Sequence, residues 1–198
     1  MGEMTAGGTL DRRAVVAGLL QERRELLVVS ALGSPSYDLM AAGDHDRNFY
    51  LWAAMGSAAM VGFGLAQAQP DRPVLVLTGD GEQLMGLGAL ATIALRRPPN
   101  LTIVVLDNGH YGETGMQPSH AGRGVELARL AEALDFPSAE TITELQGVEP
   151  LRRRLHARAG LHLAVVKIEP RNWPRALPPR DGVFVKNRFR QALGHSPS

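Results

Sequence analysis

The chain has 198 residues, 44% of them hydrophobic and 21% charged, with a formal net charge of +1. This length and composition predict one globular domain over residues 1–198, able to bury a core and too apolar for intrinsic disorder. Cysteine is absent, which excludes disulfides, thiolate zinc sites, iron–sulfur clusters and a cysteine nucleophile, and fits a reducing, cytoplasmic setting.

In chain order, the opening stretch carries charges at Glu3, Asp11, Arg12 and Arg13 without an apolar segment, so no signal peptide or myristoylation site is expected. Thr9 is placed to cap a helix running to about residue 24, and 26–30 reads as a short buried strand. Gly33, Ser34 and Pro35 form a turn, a short helix starts near Ser36, and 49–51 reads as a brief strand. The uncharged stretch 48–70 is broken by Gly56, Ser57, Gly62 and Gly64. It predicts a small-residue helix over 55–69 packed inside a domain, not a membrane span, with Pro70 as its stop.

Residues 74–78 are the clearest strand, followed by a helix at 84–95 ending before Pro98 and Pro99, and by a strand at 101–106. Helices are predicted at 126–134 and 151–159 and a strand at 162–168. Four prolines between Pro170 and Pro179 indicate an extended arm, and 183–193 a closing helix, so that 170–198 forms a basic C-terminal arm and helix. Strands and helices alternate, and the strands are continuous apolar runs. That pattern defines an α/β fold: a parallel sheet with helices on both faces.

The small net charge conceals a split. Residues 1–150 hold 10 Lys/Arg against 18 Asp/Glu, and residues 151–198 hold 11 against 2. Nucleic-acid contact is one reading, and pairing of the basic end with the acidic part or with another subunit is the other. The arginines are scattered, with Trp173, Phe184 and Phe189 as their aromatic company, short of a stacking platform. Pairing is therefore favoured, and neither nucleic acid nor membrane is expected as a partner.

In parallel sheets, ligands sit at the carboxyl ends of strands. Two strand ends here carry unusual polar loops: Gly79-Asp80-Gly81-Glu82, and Asp107-Asn108-Gly109-His110-Tyr111-Gly112. Asp80 and Asn108 are one strand–helix–strand crossover apart, so adjacent strands would bring a carboxylate and a carboxamide oxygen together. Both are hard ligands suited to Mg²⁺. Gly79 and Gly81 would let the backbone approach a phosphate. The dinucleotide fingerprint fails, since Leu84 stands where its third glycine belongs, and no Gly-Lys-Ser/Thr of a phosphate-loop ATPase follows. A lone Gly-Asp-Gly reads as a tight turn, but the pair of loops at crossover spacing points to a metal-bridged diphosphate.

With these residues assembled, Gly79-Asp80-Gly81 followed by Asn108 resembles the diphosphate–Mg²⁺ motif of thiamine diphosphate enzymes, over about residues 28–117 and less distinctly to 168. The resemblance implies a thiamine diphosphate-binding fold of the diphosphate (PP) domain type. It further implies Mg²⁺ ligation by Asp80, Asn108 and the His110 carbonyl. The Ala53 carbonyl would accept a hydrogen bond from the aminopyrimidine, and Met55 would wedge between the cofactor's rings. Gly33 and Ser34 fall at a diphosphate-contacting loop, and Glu82 and Tyr111 lie in the two cofactor loops.

The loop from Asp107 to Pro118 is similar to that of sulfopyruvate and phosphonopyruvate decarboxylases. The same resemblance makes Thr114 and Gln117 substrate-side candidates, with Glu113 and His120 beside them. Glu82 and Glu113 depart from the usual residues, and an acid beside a diphosphate or dianion is unfavourable unless paired or turned away.

The implied activity is decarboxylation of a small anionic 2-oxo acid such as 3-sulfopyruvate or 3-phosphonopyruvate, a carboxy-lyase reaction. In this family the activating glutamate sits on a separate pyrimidine-binding domain, which this sequence does not resemble. The expectation is thus a β-type subunit whose site is completed by an α-type chain, in a hetero-oligomer. Acetolactate synthase-like carboligation, oxidative decarboxylation and a non-catalytic cofactor-binding module remain as alternatives.

Overall fold

Six parallel strands form the centre of the computed structural model, which describes residues 8–196. The reading of residues 1–7 as free of a leader, and the last two residues of the predicted domain, lie outside that range. The strands are β1 (Leu27–Ser30), β2 (Asn48–Tyr50), β3 (Val74–Gly79), β4 (Leu101–Asp107), β7 (Ala139–Ile142) and β8 (His162–Lys167), in the order β2-β1-β3-β4-β8-β7. A separate antiparallel pair joins β5 (His110–Tyr111) to β6 (Gln117–Pro118).

The central strands read as continuous apolar runs because both faces are covered. Successive side chains point to opposite faces, so each strand feeds two cores. Leu27, Val29, Val76, Ile103, Val105 and Val165 pack under α3 (Ala58–Ala68), α5 (Leu87–Arg96), α6 (Leu127–Ala133) and α8 (Gly182–Ala192). Val28, Leu75, Leu77, Val104, Leu106 and Val166 pack under α1 (Arg12–Leu19), α2 (Ser34–Ala41) and α7 (Val148–Ala157). The fold is the predicted α/β sheet with helices on both faces. No helix among the described residues is long and apolar enough to cross a membrane. The uncharged stretch supplies α3, which lies so close to β3 that a Cβ on Gly62 would come within 2.1 Å of Val76.

Several element boundaries differ from the sequence reading, each for a visible reason. Leu10 is still extended, bridged to Ile168, so Asp11 and not Thr9 caps α1, accepting the Arg13 and Ala14 N–H groups at 2.8 and 3.1 Å. α1 stops at Leu19 because Glu22 and Arg24 adopt positive φ. The helix read at 84–95 is two helices, α4 (Asp80–Met85) and α5, broken at Gly86. A side chain at Gly86 would collide with the Gly56 carbonyl, 1.9 Å from the Cβ position, so a crossing segment sets the break. The helix read from Met55 begins only at Ala58, since Ala53 and Gly56 take φ of +69° and +86° in the loop before it. β7 was not read at all: its edge position leaves Glu140 and Thr141 exposed and interrupts the apolar run.

The sheet order places the site. The chain leaves β1 for β2 on one side, then returns past β1 to β3 on the other. The carboxyl ends of β1 and β3 therefore diverge around a crevice, the usual ligand position in such sheets. After β8 the chain runs without regular structure through 169–181 and ends in α8, whose Phe189 meets Phe49 of β2 edge-on at 5.5 Å.

Candidate active site

A cleft opens at that crevice. Its wall includes Ser34, Met55, Gly79, Asp80, Gly81, Glu82, Asn108, His110, Tyr111, Glu113 and Thr114, together with Arg12 and Pro35. Of the residues singled out from the sequence, Gly33, Ala53, Gln117 and His120 are not part of this wall, and the last three are exposed.

Asp80 begins α4 at the end of β3, and Asn108 follows the end of β4; the pairing of Gly79 with Leu106 sets these strand ends side by side. Asp80 is 2% exposed and accepts a hydrogen bond from the Ser119 hydroxyl. Burial, and then the neighbouring Asp107 carboxylate, push its carboxyl up to about 6, against the partial relief of Ser119. Asp107 is itself tied to Lys167 of β8 and accepts the Gly109 N–H at 2.9 Å. The Asn108 carboxamide oxygen takes the His110 N–H at 3.0 Å, and the His110 ring reaches the Asn108 carbonyl at 2.8 Å. No group of three or more His, Cys, Asp or Glu suited to a metal occurs among the described residues. The Asp80 carboxylate and the Asn108 carboxamide stand instead at adjacent strand ends, and both residues line the cleft with His110. Such hard donors suit Mg²⁺, and a divalent cation beside Asp80 would favour its charged form against the burial and the Asp107 charge that disfavour it.

Glycines keep the floor bare. A Cβ on Gly81 would lie 2.6 Å from the Tyr111 ring, so the tyrosine packs directly on the turn. The Tyr111 hydroxyl meets Nδ1 of the exposed His120 at 3.0 Å. Thr114 and Gln117 bond each other across the hairpin turn, Gln117 Nε2 donating to the Thr114 carbonyl at 3.0 Å.

Glu82 is buried and fully engaged. It accepts the Thr78 hydroxyl, the Gly56 N–H at 2.8 Å and the Ala58 N–H at 3.3 Å. The acid thus holds the loop that carries Ala53 and Met55. Ala53 sits in the left-handed region, and its carbonyl accepts the Met55 N–H at 2.8 Å, which leaves one lone pair free. Met55 remains half exposed on the cleft wall.

Glu113 also has partners: Arg175 at 2.9 Å and the Ser34 hydroxyl at 3.3 Å, close against Gly33. Arg175 belongs to the 169–181 segment, which lies against the wall residues Gly112 and Glu113. There Asn172 donates to the Gly112 carbonyl at 3.1 Å, Trp52 donates to the Pro179 carbonyl at 2.8 Å, and Arg13 binds the Pro174 carbonyl. The charge split resolves largely within the chain, through Arg175–Glu113, Lys167–Asp107, Arg188–Asp44, Arg152–Glu22 and Arg158–Asp71.

Arg12 on the cleft wall, and Asp107, Ser119 and Lys167 around Asp80, are residues that the sequence analysis assigns no role. Asp107 alone carried a local signal, standing beside Asn108 at the strand end. The others arrive from segments distant in sequence.

A cleft at the switch point of a parallel sheet, lined by Gly79, Asp80, Gly81 and Asn108, is the setting of the family match. Residues 38–167 match the sequence model described as thiamine pyrophosphate enzyme, C-terminal TPP binding domain, and the chain belongs to that family.

Among curated relatives, the sulfopyruvate decarboxylase subunit beta of Methanocaldococcus jannaschii is 40% identical over 122 residues, covering 61% of this chain and 64% of that one. The phosphonopyruvate decarboxylase of Streptomyces viridochromogenes is 39% identical over 160 residues, covering 80% of this chain and 40% of that one. The chain thus spans less than two thirds of either relative. The benzoylformate decarboxylase structure from Polynucleobacter necessarius superposes with a TM-score of 0.68 at 18% identity, over 86% of this chain and 36% of that one, a likeness of fold.

Proposed function

We propose that this chain is the β-type subunit of a thiamine diphosphate- and Mg²⁺-dependent 2-oxo acid decarboxylase, with 3-sulfopyruvate or 3-phosphonopyruvate as substrate and a pyrimidine-domain chain as partner. The observation that carries the reading is the placement of Asp80 and Asn108 at adjacent strand ends beside the crevice, in a member of the thiamine pyrophosphate enzyme family.

Asp80, Asn108 and the His110 carbonyl would hold the ion. Gly79, Gly81 and Ser34 would receive the diphosphate, while the Ala53 carbonyl and Met55 would face the aminopyrimidine and the bend between the rings. When bound, thiamine diphosphate supplies the electron sink for loss of CO₂ from a 2-oxo acid. This chain's residues anchor and orient. Glu82 fixes the Ala53–Met55 loop, Ser119 and Asp107 set the charge around Asp80, and the 169–181 segment narrows access to solvent.

The need for a partner is supported by the glutamates of the cleft. Glu82 is bound to Thr78, Gly56 and Ala58, and Glu113 to Arg175 and Ser34. Neither is free to activate the cofactor. The substrate class rests on the two relatives and on the arginines beside the cleft.

The test is to assay CO₂ release from sulfopyruvate, phosphonopyruvate and pyruvate, with the chain alone and mixed with the product of its adjacent gene. Activity only in the mixture is expected. Full activity of the single chain overturns the split-site reading, and carboligation products without net CO₂-linked aldehyde overturn the reaction assigned.

A further inference from the structure

Arg12, the first residue of α1, has a side chain that is 5% exposed. Its Nε donates to Asp38 Oδ2 at 2.5 Å, and Arg13 Nε lies 3.7 Å from the other Asp38 oxygen. Asp38 is buried in α2, and burial raises its carboxyl above the usual range against the pull of Arg12 and Arg13. The two terminal nitrogens of Arg12 have no protein acceptor among the described residues, and neither is sealed from solvent. Their outlet is the cleft, whose wall Arg12 shares with Ser34 and Pro35.

Helical spacing fixes which part of the cleft this is. Ser34 and Asp38 are four residues apart and lie on one face of α2, so a guanidinium docked on Asp38 stands beside the first turn of that helix. The helix start adds a partial positive charge. A buried guanidinium held along one edge by a carboxylate and bare along the other is arranged for bidentate recognition of an oxyanion. The three acids of the cleft wall have other partners: Asp80 takes the Ser119 hydroxyl, Glu82 takes Thr78 and Gly56, and Glu113 pairs with Arg175.

We propose that Arg12 anchors the cofactor's diphosphate, with Asp38 as its positioning residue. This rests on the reading above that the cleft takes a diphosphate. Arg12 extends that site beyond the two loops after β3 and β4: it brings in a cation from the N-terminal helix, on the side of the cleft opposite Asn108.

The experiment is calorimetric titration of the full chain with Mg²⁺ plus inorganic diphosphate, and separately with Mg²⁺ plus thiamine diphosphate. The variants are Arg12→Lys, Asp38→Asn and the pair Arg12→Met with Asp38→Asn, which leaves no unpaired buried carboxylate. A lost charged hydrogen-bond pair predicts roughly ten- to hundredfold weaker binding of both probes by the double variant. Arg12→Lys, which keeps a charge but not the fork, should lose severalfold, and Asp38→Asn less than the double variant.

A double variant that melts like the parent and binds inorganic diphosphate equally well overturns the assignment. So does unchanged diphosphate binding with a raised KM for the 2-oxo acid in the assembled enzyme, which would move Arg12 to the substrate. If the parent chain, alone and with its partner, binds neither probe, the functional reading itself fails and this inference falls with it. Should the double variant not fold, Arg12→Lys decides by the same comparison.

Discussion

Glu82 Oε1 accepts the backbone N–H of Gly56 at 2.8 Å, across 26 positions of sequence. This contact joins α4 to the loop that carries Ala53 and Met55, so one carboxylate links the two halves of the proposed cofactor site.

Glu82→Ala should therefore act on both folding and binding. It leaves the Thr78 hydroxyl and two backbone N–H groups without their acceptor, at a cost of about 2–3 kcal/mol. Chemical denaturation should show that loss. Calorimetry should show weaker thiamine diphosphate binding even though Glu82 need not touch the cofactor. An unchanged affinity would separate the loop's position from its function.

Asp80→Ala removes the one carboxylate of the proposed Mg²⁺ set. Cofactor binding should lose its dependence on Mg²⁺, with affinity down at least a hundredfold, while circular dichroism stays that of the parent. Retained Mg²⁺-dependent binding would place the ion elsewhere.

Glu113 of the cleft wall neutralises Arg175, at 2.9 Å. Glu113→Gln should free that guanidinium for an anionic substrate and lower KM for a doubly anionic 2-oxo acid severalfold, with less effect on pyruvate. Arg175→Ala should raise it. Equal effects on dianionic and monoanionic substrates would argue against a charge-reading role.

Gly86→Ala tests the crossing that splits α4 from α5. The added methyl would lie 1.9 Å from the Gly56 carbonyl oxygen, a backbone atom held by Glu82's grip on the same loop. Destabilisation of roughly 1–3 kcal/mol is expected from such overpacking, seen as a lower thermal midpoint. A neutral result would mean that the 53–57 loop yields easily.

His162, buried at the start of β8, bonds Ser138 at 3.0 Å and Glu140 at 2.9 Å. Burial outweighs the pull of Glu140 and lowers its pKa below 6.5. The unfolded chain then binds more protons than the folded one, so this residue's contribution is present above pH 6.5 and lost as pH falls below it. Urea midpoints should drop between pH 7.5 and pH 5, and His162→Gln should flatten the drop.

Much of the fold was readable because β1, β3, β4 and β8 are covered on both faces, which leaves continuous apolar runs in the sequence. β7 was not, since an edge strand has no such constraint on its outer residues. Asp80 and Asn108 were readable because one crossover separates them and strand-end loops carry their own signature. Arg12 and Ser119 were not: each reaches the site from another part of the chain, 26 positions from Asp38 and 39 from Asp80 respectively. No local pattern records such meetings. The break at Gly86 belongs to the same class, being imposed by a neighbour and not by propensity.

The segment shared with the thiamine pyrophosphate family covers residues 38–167. It supplies the floor of the cleft, with Gly79, Asp80, Asn108 and Met55. Arg12, Ser34 and Arg175 lie before or after it, so the chain's two flanks complete a rim that Glu113 and Thr114 begin from within it. The flanking part of the rim can therefore diverge independently of the base. Relatives that share the whole floor can present a different entrance, and exchanging the flanks between two of them is a route to exchanging what each admits.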